Sequence, residues 1–302
     1  MRADGPVLVA LDGSSHSPTT LAWGLHEAAL RGADAVLVRA YQDPVDLVPW
    51  GMTPFLDDVR LDSDARAYLD ATVAAARVEH RGLAVRSRLL HGPAVATLRE
   101  AGADASLLVL GATGGSGRRR LGSVPEQLTA HSRCPVVVVG GAHPTPTRPG
   151  APVVVGVDGS AASLVAADVA AHEAALRGAP LVVVHARPYV AAPYAPGWPT
   201  LPPLATADSG DATHRAAREV VHRLTARHPG TEVLLELVDD APAPALCEVA
   251  RGAHLLVVGS RGAGGFRGLL VGSVSAEVVR SASCPVMVLH EHDAEVLAHG
   301  AA

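Results

Sequence analysis

Residues 259–274 read GSRGAGGFRGLLVGSV. Glycines at 259, 262, 264 and 265 allow positive φ and leave backbone N–H groups unshielded. Consecutive exposed N–H groups form a nest for an anion. Gly272 and Ser273 then open a helix, whose first N–H groups have no intrahelical acceptor and carry partial positive charge. A glycine-rich loop that feeds a helix N-terminus is phosphate-binding chemistry. No lysine accompanies it, so it is not GxxxxGK[ST]. It follows the fourth strand of its half, so it is not the first-turn GxGxxG of a dinucleotide fold. From the glycines alone, a plain surface turn reads equally well.

A shorter relative, GATGGSGRRRLGSV, occupies 111–124. There seven residues separate Gly114 from Gly122, against nine between Gly262 and Gly272. Each extended residue spans about 3.3–3.6 Å, so the shorter loop predicts a displaced backbone and a weaker first site. Pro125 stands where the second half has Ser275 and removes one amide donor. Arg118, Arg119 and Arg120 add three cations, which either hold a polyphosphate or are simply solvated.

These loops recur because the chain is written twice. HEAALRGA at 26–33 returns at 172–179 letter for letter, and VALDGSS at 9–15 returns as VGVDGSA at 155–161. The offset is 146 there, 148 at LLVLGATG and LLVVGSRG, and 150 at the two CPV segments. A period near 150 is a domain duplication, since solenoid repeats run about 20–50 residues. The proline-rich stretch 141–151 reads as a short connector. The predicted domains are 1–141 and 152–290, with a linker at 142–151 and a tail at 291–302.

Each half alternates apolar β-branched runs with helical patterns. PVVVGV at 152–157 reads as a strand buried on both faces. Ser163 is expected to cap a helix through about Arg177, which Gly178 stops, and Ser17–Pro18 is expected to do the same in the first half. The alternation predicts an α/β fold with a parallel sheet covered by helices on both sides. Such sheets bind ligands at the carboxyl ends of their strands, where strand order reverses. The glycine loop lies on that edge.

Gly259-x2-Gly262-x9-Gly272-Ser273 fits the G-x2-G-x9-G-[ST] pattern of the universal stress protein family. With VGVDGS at the start, CPV at the last strand and the two-fold repeat, the chain resembles a tandem-type member of its ATP-binding subset. The resemblance covers nearly all of both halves. It implies a five-stranded parallel sheet in each domain, Rossmann-like and akin to the adenine nucleotide alpha hydrolases. It also implies ATP binding, a role in stress or dormancy, and pairing of domains through their last strands.

Carried over by position, Asp158 lies beside the ribose or a phosphate-bound Mg2+, and Ala186 meets the adenine through its backbone. Gly259, Gly262 and Gly272 approach the phosphates, with the Ser273 hydroxyl and the Val274 and Ser275 amides. The matching, weaker set in the first half is Asp12, Ala40, Gly111, Gly114, Gly122, Ser123 and Val124. For both aspartates a plain Asp-Gly-Ser turn is the alternative reading.

Composition narrows the function classes. The 302 residues are 48% hydrophobic and 18% charged with a net charge of −5, which shows no basic footprint for nucleic acid. Aromatics are 3%, so stacking platforms for single strands are scarce. Three cysteines without CxxC or ligand spacing fit a reducing compartment. Cys134 and Cys284 read as small buried residues that enter the last strand of each half. The N-terminal apolar run is too short for a signal core and no run is long enough to span a bilayer, so the expectation is a cytoplasmic protein. The histidines read as scattered, without a metal cluster. The stretches 42–58 and 187–210 read as long loops, a lid or a docking segment.

Three function classes follow: an ATP-binding regulator with a homodimer of tandem chains, a scaffold that has lost its nucleotide, and a slow ATPase. Efficient turnover needs a positioned base, and neither Glu126 nor Glu277 is an obvious one.

Overall fold

Runs such as Val153-Val154-Val155 and Leu107-Leu108-Val109 have branched or apolar side chains on both faces, and all six residues are fully buried. Only a strand flanked by helices on both sides accommodates that pattern. The computed structural model describes residues 5–42, 58–112, 121–140, 150–187, 207–262 and 272–293. Gly114, Gly264, Gly265, Arg118, Arg119, Arg120, the connector at 141–149 and most of the two long loops lie outside the described residues.

By contacts the chain forms two units, Met1–Thr145 with Pro285–Ala302, and Pro146–Cys284. In the first unit the strands are β1 (Val7–Ala10), β2 (Ala35–Tyr41), β3 (Val85–His91), β4 (Leu107–Gly111) and β5 (Val136–Val139). They run parallel in the order β3-β2-β1-β4-β5. Helices α1 (Ser17–Arg31), α2 (Asp58–Glu79), α3 (Ala94–Ala101) and α4 (Ser123–His131) connect them. The second unit contains β6 (Val153–Gly156), β7 (Leu181–Ala186), β8 (Val233–Val238) and β9 (Leu255–Gly259), parallel in the order β9-β6-β7-β8. Its helices are α5 (Ala161–Arg177), α6 (Ala207–Arg227), α7 (Pro242–Val249) and α8 (Ser273–Ser281). The fifth strand of the second repeat, β10 (Val286–Leu289), belongs by contacts to the first unit, where it lies antiparallel to β5. All four residues of β5 and all four of β10 are buried, so neither is left as an open edge.

In both units the chain moves outward from its first strand, then returns to the other side of it. Right-handed crossovers place the outward helices on one face and the returning pair on the other. Accordingly α5 packs on α6, α7 on α8, and α3 on α4. Strand order reverses between β1 and β4, and again between β6 and β9. The carboxyl ends of these neighbours carry Asp12 with Gly111, and Asp158 with Gly259.

Two helix starts differ from the sequence expectation. Ser160, not Ser163, is the N-cap of α5, and its hydroxyl accepts from Ser163 N–H at 3.2 Å. In α1, Ser17 is the first helical residue, and the N-cap is His16 without a side-chain bond. The Ser17 hydroxyl instead donates to Asp12 Oδ1 at 2.9 Å, so the strand-end aspartate outcompetes the helix end for it. The stops match: Gly32 and Gly178 both adopt left-handed φ, +62° and +59°.

Candidate functional site

The site of the second unit begins where β6 releases the chain into an Asp158-Gly159-Ser160 turn. Gly159 has φ +83°, a conformation that favours glycine. Asp158 Oδ1 accepts from the Ser160 N–H at 3.0 Å and from its hydroxyl at 2.6 Å. The Asp158 N–H donates to Ser163 Oγ at 3.3 Å. This is the Asx turn anticipated for an Asp-Gly-Ser sequence, and it fixes one carboxylate oxygen.

The other oxygen, Oδ2, is directed at the glycine loop. A Cβ on Gly262 would stand 2.5 Å from it, closer than any real contact. Gly259 is equally constrained, since its Cβ would lie 2.9 Å from the Ala162 backbone at the start of α5. The Ser160 hydroxyl lies 3.4 Å from the Arg261 carbonyl, which links the two loops from the other side. Thus Asp158, Ser160, Gly259 and Gly262 form one close-packed group: a side chain at 259 would meet backbone, and one at 262 would have to move the Asp158 carboxylate.

The far end of the loop is closed by a backbone bond. Gly272 N–H donates to the Ser260 carbonyl at 2.8 Å. The buried Ser275 hydroxyl lies 3.2 Å from the same carbonyl and 2.9 Å from that of Gly272. Gly272 is the N-cap of α8. Ser273 is exposed and Val274 half-buried on its first turn. Among the described residues no side chain caps the first N–H groups of α8.

In the first unit the corresponding ends are held alike. Gly122 N–H donates to the Ala112 carbonyl at 2.8 Å, Gly122 caps α4 without a side-chain bond, and Ser123 is exposed beside half-buried Val124. Pro125 is buried where Ser275 lies, so the second hydroxyl clasp is missing. Both ends of the shorter cradle, Ala112 and Gly122, are held as in the second unit. Asp12 Oδ1 accepts from Ser14 N–H and Ser17 Oγ, both at 2.9 Å. Burial pushes the Asp12 carboxyl up, but the Ser14 and Ser17 hydrogen bonds outweigh it and leave the pKa below the ordinary value.

The sequence reading missed Ser160 and read Ser163 only as a helix cap, not as a partner of Asp158. The signal was there: serines at two and five residues after the aspartate occur in both halves, as Ser14 and Ser17, and as Ser160 and Ser163. It also missed His185. A cavity of about 260 Å3 beside Asp158 is lined by Val157, Leu164, His185, Val220 and Arg223, among others. His185 Nδ1 lies 2.8 Å from the Val157 carbonyl, which can only accept, so Nδ1 carries the proton. Ala186, at the carboxyl end of β7, is half-buried next to it, as Ala40 is at its place in β2.

The model of the "Universal stress protein family" matches residues 5–140 and 151–290. The chain belongs to the universal stress protein family. Family membership accounts for the repeat and for the strand order of both units. A universal stress protein of Mycobacterium tuberculosis is 36% identical across 94% of this chain and 96% of its own length. One of Mycobacterium bovis is 33% identical across 94% and 97%. A universal stress protein from Archaeoglobus fulgidus superposes with a TM-score of 0.71, covering 95% of this chain and 99% of that one at 20% identity, a likeness of fold. No helix among the described residues is long and apolar enough to cross a membrane.

Proposed function

We propose that the second repeat binds ATP and that the chain acts as a nucleotide-dependent regulator in stress or dormancy adaptation in the cytoplasm. The observation that carries this reading is the clearance around Asp158. Glycine at 262 keeps a carboxylate oxygen at the mouth of the loop, where any side chain would displace it. The uncapped start of α8 supplies N–H donors to a phosphate, as helix N-termini do. Charge-assisted hydrogen bonds contribute roughly 1.5–3 kcal/mol each, and three or four support micromolar affinity, about −8 kcal/mol, after ordering costs.

In this reading Gly259, Gly262, Gly272, Ser273, Val274 and Ser275 surround the phosphates. Asp158 holds the ribose or a phosphate-bound Mg2+, and Ala186 faces the adenine. A Mg2+ ion bound there neutralises phosphate charge. The first repeat, with Asp12, Ala40, Gly111, Gly114, Gly122, Ser123 and Val124, binds more weakly because it lacks the Ser275 clasp and two loop residues. The same reading includes pairing of the halves through their last strands and a homodimer of tandem chains, which sedimentation equilibrium checks.

Isothermal titration of the full chain with ATP and Mg2+ is expected to show one dominant site. Mass spectrometry of the purified protein is expected to find an adenine nucleotide. Two equal sites would overturn the asymmetry, and no heat, no co-purified nucleotide and no thermal shift with ATP would overturn the binding itself in favour of a scaffold.

A further inference from the structure

Three donor side chains converge just after β10. His290, His292 and Asp293 lie on and beside one 3-10 turn, Glu291–Asp293, with their ligand atoms within 4.8 Å of one another. This corrects the reading of the histidines as scattered. The signal in the sequence was two histidines and an aspartate within the four residues His-Glu-His-Asp.

Three polar atoms of this cluster, two on His290 and one on Asp293, are buried without a hydrogen bond among the described residues. His290 is 8% exposed and Asp293 1%. Among the described residues, neither ring nitrogen of His290 has a hydrogen-bond partner, nor does Asp293 Oδ1. Asp293 Oδ2 accepts from the His290 backbone N–H at 2.7 Å, which orients the carboxylate. Leaving one buried polar atom unsatisfied costs about 1–3 kcal/mol, and more when it is charged. Three such atoms in one place call for a shared partner.

The donor types narrow the partner's class. His290 Nδ1 lies 3.5 Å from Asp293 Oδ2, and His292 Nε2 lies 3.5 Å from Asp293 Oδ1. Both separations exceed the 2.7–3.2 Å typical of an N–H···O bond. They involve different oxygens of the Asp293 carboxylate, and one ligand atom from each residue lies within 4.8 Å of the others; ligands about 2.0–2.2 Å from Zn2+ stand roughly 3.3–3.6 Å apart, so the donors close in slightly around a bound ion. The imidazole rings are stacked, centroids 5.0 Å apart and 22° from parallel. Two imidazoles and one carboxylate suit Zn2+ and similar divalent ions, whereas Mg2+ and Ca2+ prefer all-oxygen sites. His292 is exposed, so an ion enters from solvent and its fourth position is open to water.

We propose that His290, His292 and Asp293 form a divalent metal site of the zinc class, which fixes the turn that follows β10. The corresponding residues of the first repeat are Gly140, Ala142 and His143, which lack this donor set.

The test uses the full chain, stripped of metal with a chelator and titrated with Zn2+ against a chromophoric competitor. One tight equivalent is expected, with a rise in melting temperature. His292→Ala, at an exposed position, is expected to fold normally, bind at least tenfold more weakly and lose the thermal shift. Co2+ is expected to give the visible absorption of a four-coordinate ion without a thiolate charge-transfer band. No stoichiometric Zn2+ in the parent chain, or parental affinity in His292→Ala, would overturn the proposal.

Discussion

Gly262 and Asp158 are separated by more than a hundred residues, yet a methyl group on the first would stand 2.5 Å from a carboxylate oxygen of the second. No positive φ demands glycine at 262, so the requirement comes from proximity to Asp158. Gly262→Ala is expected to push Asp158 off Ser160, destabilise the fold by roughly 1–3 kcal/mol and weaken ATP at least tenfold. Asp158→Ala removes the obstacle, so the stability penalty of Gly262→Ala is expected to shrink in that background. Chemical denaturation and titration of the two single variants and the double variant measure this. Additive effects would show that the two residues do not meet.

A second close approach lies between helix and sheet in the first unit. A Cβ on Gly24 of α1 would fall 2.4 Å from Val9 Cγ2 of β1. The corresponding residue of α5 is Ala170, fully buried, so the second unit spaces this helix for a methyl group. Gly24→Ala gains about 1 kcal/mol of helix propensity but overpacks a filled interface at roughly 1–3 kcal/mol. A net loss of stability in urea is the expected result, although alanine is the better helix former.

The octapeptide that repeats without change contains an ion pair in each copy. Glu27 accepts from Arg31 at 2.8 Å, and Glu173 pairs with Arg177 at the same positions of α5. Both glutamates are 1% exposed. Removing one partner of a buried pair costs about 3–5 kcal/mol because the remaining charge stays buried. Arg177→Ala is expected to cost more than Arg31→Ala, since its side chain is 8% exposed against 17%. Thermal unfolding ranks them.

Burial pushes the Cys134 thiol up to about 12, against a weaker lowering by its Ser132 contact, and burial likewise raises Cys284 to about 12. Cys247 is raised too, by burial and by Glu277, but it is only half-buried. A thiol-specific chromogenic reagent at pH 8 is therefore expected to label Cys247 first and the other two only on unfolding. The raised folded pKa values give a stability contribution that is complete below the unfolded thiol range, about 8.5. It is lost as pH rises from there towards 12. Urea midpoints that fall above pH 9 in the parent chain, and less in Cys134→Ala, would bear this out.

The sequence alone determined the repeat, the parallel α/β class and the place of the glycine loop after the fourth strand. These are local or periodic properties: β-branched runs, Gly32 and Gly178 as stops, and a spacing that appears twice. It did not determine which oxygen of Asp158 holds the turn and which faces Gly262, because that depends on two loops meeting at neighbouring strand ends. Nor did it determine that Ser160 rather than Ser163 caps α5, since either hydroxyl could reach and Asp158 chooses between their partners. The His290, His292 and Asp293 cluster was visible as letters. Only the tertiary structure buried His290 and Asp293 with three polar atoms left unsatisfied, and that burial turns three ordinary residues into a donor set.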